Sequence, residues 1–437
     1  MSNLSLKVTV SGTDYYLSDE TFLKTDANFH YGFLLSGPRI KKGQVKGGFY
    51  DFEVGQVQIE NRPLDENHPF GGSRYTSLIQ NLGTAYPFTF QYGLQDYDWI
   101  TGTLVLEKVD REALTFSVNA TEYNVDATST VTDNSGNTVT APFAFGAVTH
   151  FTPLIRTTSN RWHNPTGLTS GITVFEDGVS RTINAITSDY IEITGYSADA
   201  GEVSLTSTNS KTLEDFFDYV ATQLSLSVST ADTTRATNAS SYDVKIKVNA
   251  PIPLLELASD VAAAYNHQFD IRQDSSGNST LHLIDRAYAG ATITSYKDYE
   301  LLTSNYTLGF PLGGVSSSWG INVVEGGRLV GKSTSARSAN KPKGREFSVN
   351  AYADQYSDIT RVQGRIDAIK DIEKLSKASV TIPDINTDIE LGDRIRFRRL
   401  QDFLACTLTV RSIDYDFSAR TTALEGDATL SEFVRDF

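Results

Sequence analysis

Cysteine, methionine and histidine are scarce in this chain of 437 residues, which has one Cys, one Met and six His. The single cysteine, Cys406, excludes an internal disulfide and a cysteine-based zinc site. It lies in a strand-like apolar run with Leu408 and Val410, so we expect a buried small hydrophobe. No two histidines have the one-turn helical spacing of a metalloenzyme. The pattern therefore predicts no His-centred site.

The chain also has fewer basic than acidic residues and no long apolar run. The chain has 38 Lys and Arg against 53 Asp and Glu, a net charge of −15, so it lacks the cationic footprint of a general nucleic-acid binder. The charge is uneven: residues 101–250 hold 9 basic against 17 acidic residues, and residues 337–411 hold 14 against 11. No run approaches 18 apolar residues, and residues 1–12 lack a basic region followed by a long apolar run. We therefore expect no transmembrane segment, no signal peptide and synthesis in a cytoplasm.

What is present favours β structure in several domains. The chain is rich in Thr, Val, Tyr and Phe and has 32 Gly and 12 Pro, a composition typical of strands joined by turns. Apolar and polar residues alternate at 4–10, 52–59 and 100–106, which is the period of a half-buried strand. The chain is longer than one core usually holds. The sequence predicts a mainly β fold with an α+β insertion, in which two terminal β-barrel or sandwich domains flank the middle of the chain.

The predicted domains are defined by changes in composition and pattern. The N-terminal barrel-like domain is assigned to 1–125, an irregular β domain to 126–205, a small α+β domain to 206–290, and a C-terminal barrel-like domain to 291–437.

Four segments show a helical pattern. Thr212 to Leu224 has an apolar face, with Thr212 as N-cap and Asp215 three residues on. A second helix is predicted at 254–265 and a short one at 74–82. The longest is predicted at about 358–377, packed on the C-terminal domain.

A search for catalytic and ligand-binding motifs finds none that is specific. The sequence has no G-x-S-x-G elbow and no phosphate-binding P-loop. The polar turns Asp133-Asn-Ser-Gly-Asn137 and Asp274-Ser-Ser-Gly-Asn278 offer oxygen ligands, but Asx-turn chemistry accounts for them without calcium. Carboxylate pairs such as Glu60 and Asp65 are expected among so many acids. We predict no catalytic, cofactor-binding or metal-binding residue, and no enzymatic activity.

One charged pattern stands out near the C-terminus. Arg394, Arg396 and Arg398 alternate with Ile395 and Phe397, which on a strand places three guanidinium groups on one face. This face is either a contact for an anionic partner, and so a possible subunit interface, or an exposed strand face balanced by nearby acids. The candidate balancing acids are Asp393, Asp402 and those at 414–416.

Several phrases in a fixed order resemble the tail-tip or baseplate hub proteins of siphophages. The first group is Phe145 to Ile155 with its Pro-Leu-Ile ending, the tryptophan strand at 161–163, and Thr173-Val-Phe-Glu-Asp-Gly178. A short Gly-Tyr strand at 193–196 follows, then the helix that begins at Leu213. In the C-terminal part, Val380 to Pro383 and Leu391-Gly-Asp393 precede the arginine strand in the order that tail hubs have. The resemblance extends over most of residues 50–430.

This resemblance implies a structural virion protein with tail-tube-like barrels. Such a hub is a homotrimer whose paired barrels close a ring that continues the tail tube. It gates or conducts DNA and the tape-measure protein during ejection. The implied partners are other copies of the chain, a distal tail or tube protein, the tape-measure protein, and tail-fibre or receptor-binding proteins. DNA is implied only in transit, and the implied location is the tail tip of a virion assembled in the host cytoplasm.

Two other functions stay open from the residues alone. The first is a receptor-binding or adhesin-type β protein that uses the aromatic residues Tyr86, Tyr92, Tyr97 and Trp99 as a contact surface. The second is a carbohydrate-active enzyme with a carboxylate pair.

Overall fold

The chain is mainly β, with an α+β insertion between a nearly closed barrel-like sheet and a half-barrel, so the predicted fold class is confirmed. The computed structural model describes residues 4–19, 22–23, 29–43, 53–62, 65, 67–71, 79–92, 100–120, 125–152, 154–195, 202–226, 239–265, 267–273, 279–285, 292–307, 319–325, 328–334, 345–350, 376–386, 388–399 and 404–432.

The N-terminal part forms an antiparallel sheet. Its strands are β1 Leu4–Val10, β2 Thr13–Ser18, β3 Phe22–Leu23, β4 Phe29–His30, β5 Leu34–Ser36, β6 Arg39–Lys42, β7 Glu53–Val54, β8 Gln56–Glu60, β9 Ala85–Tyr92, β10 Ile100–Val109 and β11 Ala113–Ala120. Seven of them pair in the order β2-β1-β9-β10-β11-β8-β5. Tyr31, just before β5, forms a bridge with Leu17 of β2, so the two outermost strands approach each other. The sheet is nearly closed around its apolar side chains.

The middle part consists of short antiparallel sheets. Its strands are β12 Thr130–Thr132, β13 Thr138–Thr140, β14 Phe143–Phe145, β15 Arg156–Thr158, β16 Arg161–His163, β17 Ile172–Glu176, β18 Val179–Arg181, β19 Ile183–Ile186, β20 Tyr190–Ile193, β21 Val203–Ser207, β22 Lys211–Thr212, β23 Asp243–Val244 and β24 Ile246–Val248. Four of them pair as β15-β16-β20-β19 and three as β18-β17-β21. The apolar side chains of these two sheets, including Trp162 and Leu205, form a separate small core.

Two helices and a hairpin form the α+β part. Helix α1 is Leu213–Gln223, and α2 is Leu254–Ala264. Thr212 and Asp215 form the predicted capping box, in which the Thr212 hydroxyl accepts from the Asp215 N–H at 3.1 Å. The hairpin strands are β25 His267–Gln273 and β26 Ser279–Asp285. The helices pack with the apolar face of this hairpin in a second core.

The C-terminal part is built on a larger sheet. Its strands are β27 Thr292–Lys297, β28 Thr303–Thr307, β29 Trp319–Glu325, β30 Arg328–Thr334, β31 Arg345–Asn350, β32 Ser376–Ile382, β33 Arg394–Arg399, β34 Leu404–Asp416 and β35 Thr421–Glu432. The main path is β27-β33-β34-β35-β32-β28, and β27 pairs with β33 in parallel. Strands β30-β29-β31 form a separate sheet.

The two terminal parts share one sheet and one core. Strand β6 of the N-terminal part pairs with β34, more than 360 residues further along the chain, and β7 pairs with β6, so both belong to the C-terminal sheet. The Arg39 guanidinium of β6 donates to the Asp414 carboxylate of β34, with Nε 2.9 Å from Oδ1. Buried apolar side chains of both parts belong to a single cluster. The sequence pattern did not indicate that β6 and β7 would join the C-terminal sheet. The domain boundaries stay a prediction.

Two predicted helices fall mostly outside the described residues. Of the segment 74–82, residues 79–80 are helical and 81–83 form a turn. The helix predicted at 358–377 extends too far, because Ser376 already begins β32. Within the described residues, no helix is long and apolar enough to cross a membrane.

Candidate subunit interface

The arginine strand β33 begins after a tight turn that orders its backbone. Gly392 in this turn has a φ of +87°, the left-handed region that favours glycine. The buried Asp393 carboxylate accepts from the backbone N–H of Glu390 at 2.7 Å. The Val410 carbonyl accepts from the Gly392 N–H, and the Val410 N–H donates to the Asp393 carbonyl, each at 2.8 Å. These bonds fix the register in which β33 joins β34.

The side chains of β33 alternate between the core and the outer face. Ile395 and Phe397 are fully buried, Arg396 and Arg398 are exposed, and Arg394 is half-buried. The structure thus places the three arginines on one face of one strand, as the alternation predicts. We call Arg394, Arg396 and Arg398 the arginine face. Its role as a subunit interface stays a prediction.

On the neighbouring strands β27 and β34, no acidic residue lies in register with the three arginines. The residues that face the three arginines across β27 and β34 are Thr292, Ser295, Lys297, Ala405, Thr407 and Thr409. Lys297 is exposed beside Arg398, so it extends the positive face onto β27. Like charges in adjacent positions repel one another unless an anion lies nearby. An anionic partner would therefore stabilise this surface.

Three of the acids that the sequence offers as a balance have described contacts with other groups. Asp393 orders the turn before β33, and Asp414 accepts from Arg39. Asp416 accepts a backbone N–H in the turn between β34 and β35 at 2.8 Å. Asp402 lies outside the described residues. The choice between an interface and a self-balanced strand face stays a prediction.

A buried ionic cluster lies on the same sheet, next to the arginine face. Arg411 and Asp427 are both almost fully buried, and Arg411 Nε is 2.9 Å from Asp427 Oδ2. Lys377 contacts the other carboxylate oxygen. Burial alone would raise the pKa of Asp427, but the charges of Arg411 and Lys377 outweigh it and lower this pKa. Because Arg411 and Asp427 are buried and Lys377 is bound to Asp427, we assign this cluster a structural role.

Three of the described histidines pack against other residues or form hydrogen bonds within the fold. His68 is buried, and its Nδ1 accepts from the Phe70 N–H at 3.2 Å while Nε2 lies 2.7 Å from the Glu60 carbonyl. Nε2 therefore carries the proton of a neutral ring. Burial lowers the pKa of His68, and that of His163 for the same reason. The His150 ring packs on the Phe175 ring, with 5.3 Å between the ring centres.

Cys406 and the Asp133 turn agree with their sequence interpretations. Cys406 is buried, and burial raises the pKa of its thiol to about 12. The Asp133 carboxylate accepts from the backbone N–H groups of Ser135 and Asn137, both at 2.8 Å. The Asp274 turn lies outside the described residues. Within the described part of the chain, no three His, Cys, Asp or Glu side chains are grouped as metal ligands.

The residues considered for the two other functions have local roles. Tyr86 is buried and packs on Phe70 and Phe116, so it is not the exposed contact that a receptor-binding surface needs. Tyr97 and Trp99 lie outside the described residues, as does the side chain of Tyr92. The Glu60 carboxylate is 3.0 Å from the Arg62 guanidinium. Asp65 accepts from the backbone of its own turn.

No protein-family model matches the chain, and no curated protein sequence does either. Among solved structures, it is similar to the 43 kDa tail protein of prophage MuSo2 from Shewanella oneidensis. The TM-score is 0.46 and the identity 11%, with 99% of this chain and 97% of that chain covered.

Two further solved structures are also tail proteins. The tail protein from Neisseria meningitidis MC58 has a TM-score of 0.46 and 8% identity, over 97% of this chain and 96% of the other. Prophage tail protein gp18 from Listeria monocytogenes EGD-e has a TM-score of 0.36 and 8% identity, over 96% and 94%. Tail proteins are thus among the structural neighbours, as the resemblance in the sequence predicts.

Proposed function

We propose that this chain is a structural protein of a phage tail and forms the hub of the tail tip or baseplate. The observation that carries the proposal is the packing of the two terminal parts of the chain on a common apolar core. A nearly closed barrel-like sheet and a half-barrel share a single apolar core within one chain, and strand β6 from the N-terminal part pairs with β34 of the C-terminal sheet. Three copies would supply six such units, enough for a pseudo-sixfold ring that continues a sixfold tube.

The charge of the chain suits a channel through which DNA and the tape-measure protein pass. A net charge of −15 repels the phosphate backbone, so a wall of this composition does not retain DNA in transit. The arginine face is the exception to this acidity. We assign it to contacts between copies, since the acidic excess of residues 101–250 provides carboxylates to meet it.

The proposed role is structural rather than enzymatic. The ordered phrases of the resemblance support this role, because they coincide with defined structural elements. Leu391-Gly392-Asp393 forms the turn before β33, and Leu213 begins the capped helix α1. Neighbouring tail proteins and fibres are the expected partners at the two rims of the ring.

The location of the protein in purified virions tests the proposal. Antibodies raised against the full chain and coupled to gold should label the tail tip in electron micrographs. Labelling confined to the fibres would favour a receptor-binding role, and labelling of the head or the tube shaft, or of no part of the virion, would overturn the proposal. Antibody absorbed with the pure chain is the control.

A further inference from the structure

The connection from β27 to β28 carries two large apolar side chains in solvent. Tyr299 is 73% exposed and Leu302 is 58% exposed. A single exposed apolar residue is normal on a protein surface. Here two of them lie three residues apart on a five-residue connection, residues 298–302, which joins the outermost strands of the C-terminal sheet.

This connection is held in place by hydrogen bonds on both sides. The Lys297 N–H donates to the Glu300 carboxylate at 2.7 Å, and the Leu302 N–H donates to the Thr381 carbonyl at 2.9 Å. The Thr303 hydroxyl donates to the Thr381 hydroxyl at 2.8 Å. Binding through an ordered turn loses less conformational entropy than binding through a loose loop. Tyr299 and Leu302 are thus presented on a preformed surface.

Tyr299 is continuous with the arginine face. Lys297 stands beside Arg398 in the parallel register of β27 and β33, and its ammonium lies 5.5 Å from the centre of the Tyr299 ring. The turn that contains Tyr299 also lies against β33. Tyrosine and arginine are the residue types most enriched among the energetic anchors of protein interfaces. The surface therefore combines two exposed apolar side chains with a basic flank, and the Glu300 carboxylate lies beside Lys297.

We propose that Tyr299 and Leu302, together with Arg396 and Arg398, form a docking surface for an acidic face of a second copy of this chain. Charge complementarity identifies the occupant. Residues 101–250 carry 17 acidic against 9 basic residues, and their exposed carboxylates include Glu112, Asp189 and Glu202. The inference deepens the proposed function, because it assumes that copies of the chain assemble.

A polyanion is the alternative occupant, and the apolar residues argue against it. Phosphates would engage the arginines and Lys297 by charge. They would gain nothing from burying Leu302, whereas a protein surface would bury it with release of water. The two occupants therefore differ in how binding depends on salt and on the two apolar side chains.

Sedimentation velocity of the full chain tests the docking surface with matched variants. Tyr299→Ser/Leu302→Ser removes the apolar anchors and Arg396→Glu/Arg398→Glu reverses the charge. Leu35→Ser, which removes a 54% exposed apolar residue on β5, is the control. Each variant is compared with wild type at about 50 mM and at about 500 mM salt. The electrostatic screening length is longer than about 10 Å at the lower concentration and shorter than that at the higher one. Because all the changed side chains are exposed, thermal unfolding of each monomer should be unchanged.

We expect wild type to assemble at low salt, and Leu35→Ser to match it. The apolar double variant should weaken assembly at least tenfold in dissociation constant at both salt concentrations. The arginine double variant should weaken it at least tenfold at low salt, with a smaller difference at high salt. This pattern would support one mixed apolar and ionic surface.

Three outcomes would overturn the inference. The first is assembly of the Tyr299/Leu302 variant with wild-type affinity. The second is a wild type that stays monomeric at both salt concentrations; gold label at the tail tip would then leave the proposed function standing while this surface falls. The third is binding of a short DNA duplex that Arg396→Glu/Arg398→Glu abolishes while assembly is unaffected, which would assign the face to a polyanion.

Discussion

Replacement of Arg411 by Met should destabilise the C-terminal sheet strongly, because it leaves a buried carboxylate with a single partner. In the folded protein Asp427 is 2% exposed and contacts both Arg411, which is 3% exposed, and Lys377, which is 38% exposed. Removal of one member of a buried ion pair typically costs about 3 to 5 kcal/mol. Since Lys377 stays in place, we expect the lower value, about 3 kcal/mol.

The single cysteine provides a local assay for this change. Cys406 is buried on the same strand as Arg411, so a thiol reagent reaches it only when this part of the sheet opens. Under conditions of rapid reclosing, the labelling rate follows the opening equilibrium. A loss of about 3 kcal/mol should therefore accelerate labelling of Cys406 by roughly 100-fold.

An exposed ion pair on the same strand provides the matched control. Arg39 is 68% exposed and pairs with Asp414 of β34. Arg39→Met should lower stability by only about 0.5 kcal/mol, because solvent screens the pair. If Arg411→Met and Arg39→Met accelerate labelling equally, or if Arg411→Met labels as slowly as wild type, the argument from burial is refuted.

The other predictions concern a close backbone approach, a helix cap and a buried histidine. Gly426→Ala should lower the free energy of unfolding, measured in urea, by about 3 kcal/mol or more. The reason is that the added Cβ would lie 1.9 Å from the Thr409 carbonyl oxygen. Gly55→Ala is the control, because its added Cβ meets only ordinary contacts and the change should be near neutral. Thr212→Ala should lower the stability of the α+β part by about 1 kcal/mol, measured by hydrogen exchange of α1, since it removes the capping box. Burial lowers the pKa of His68, so the stability due to its neutral form is present above the ordinary pKa and is lost as pH falls through the folded pKa. The melting temperature of wild type should thus fall more between pH 7 and pH 5 than that of His68→Gln.

Prediction from the sequence succeeded where the decisive residues are close together in the chain. The capping residues Thr212 and Asp215 located the start of α1, and alternation around Ile395 and Phe397 located the outer face of β33. The apolar neighbours of Cys406 indicated its burial. In each case the signal repeats every two to four residues, which is the periodicity of the backbone itself.

The candidate surface could be predicted only in part. The arginines were visible as a pattern, but Tyr299 and Leu302 were not singled out, because nothing in residues 298–302 indicates that they lie beside β33. The parallel pairing of β27 with β33 brings together residues about 100 positions apart. A weak signal was available in hindsight, namely a tyrosine and a leucine in a short connection between two strands.

The sequence by itself determined the mainly β character, the capped helix, the absence of a disulfide and the single face of the three arginines. Tertiary structure alone decided that β6 joins the C-terminal sheet, that both terminal parts share a core, and that Asp427 meets Arg411 and Lys377. Local periodicity specifies which side of a strand is apolar, but it does not specify which other strand pairs with that strand. The choice of neighbour depends on the total apolar area buried and on the closure of long loops, and these are properties of the whole chain.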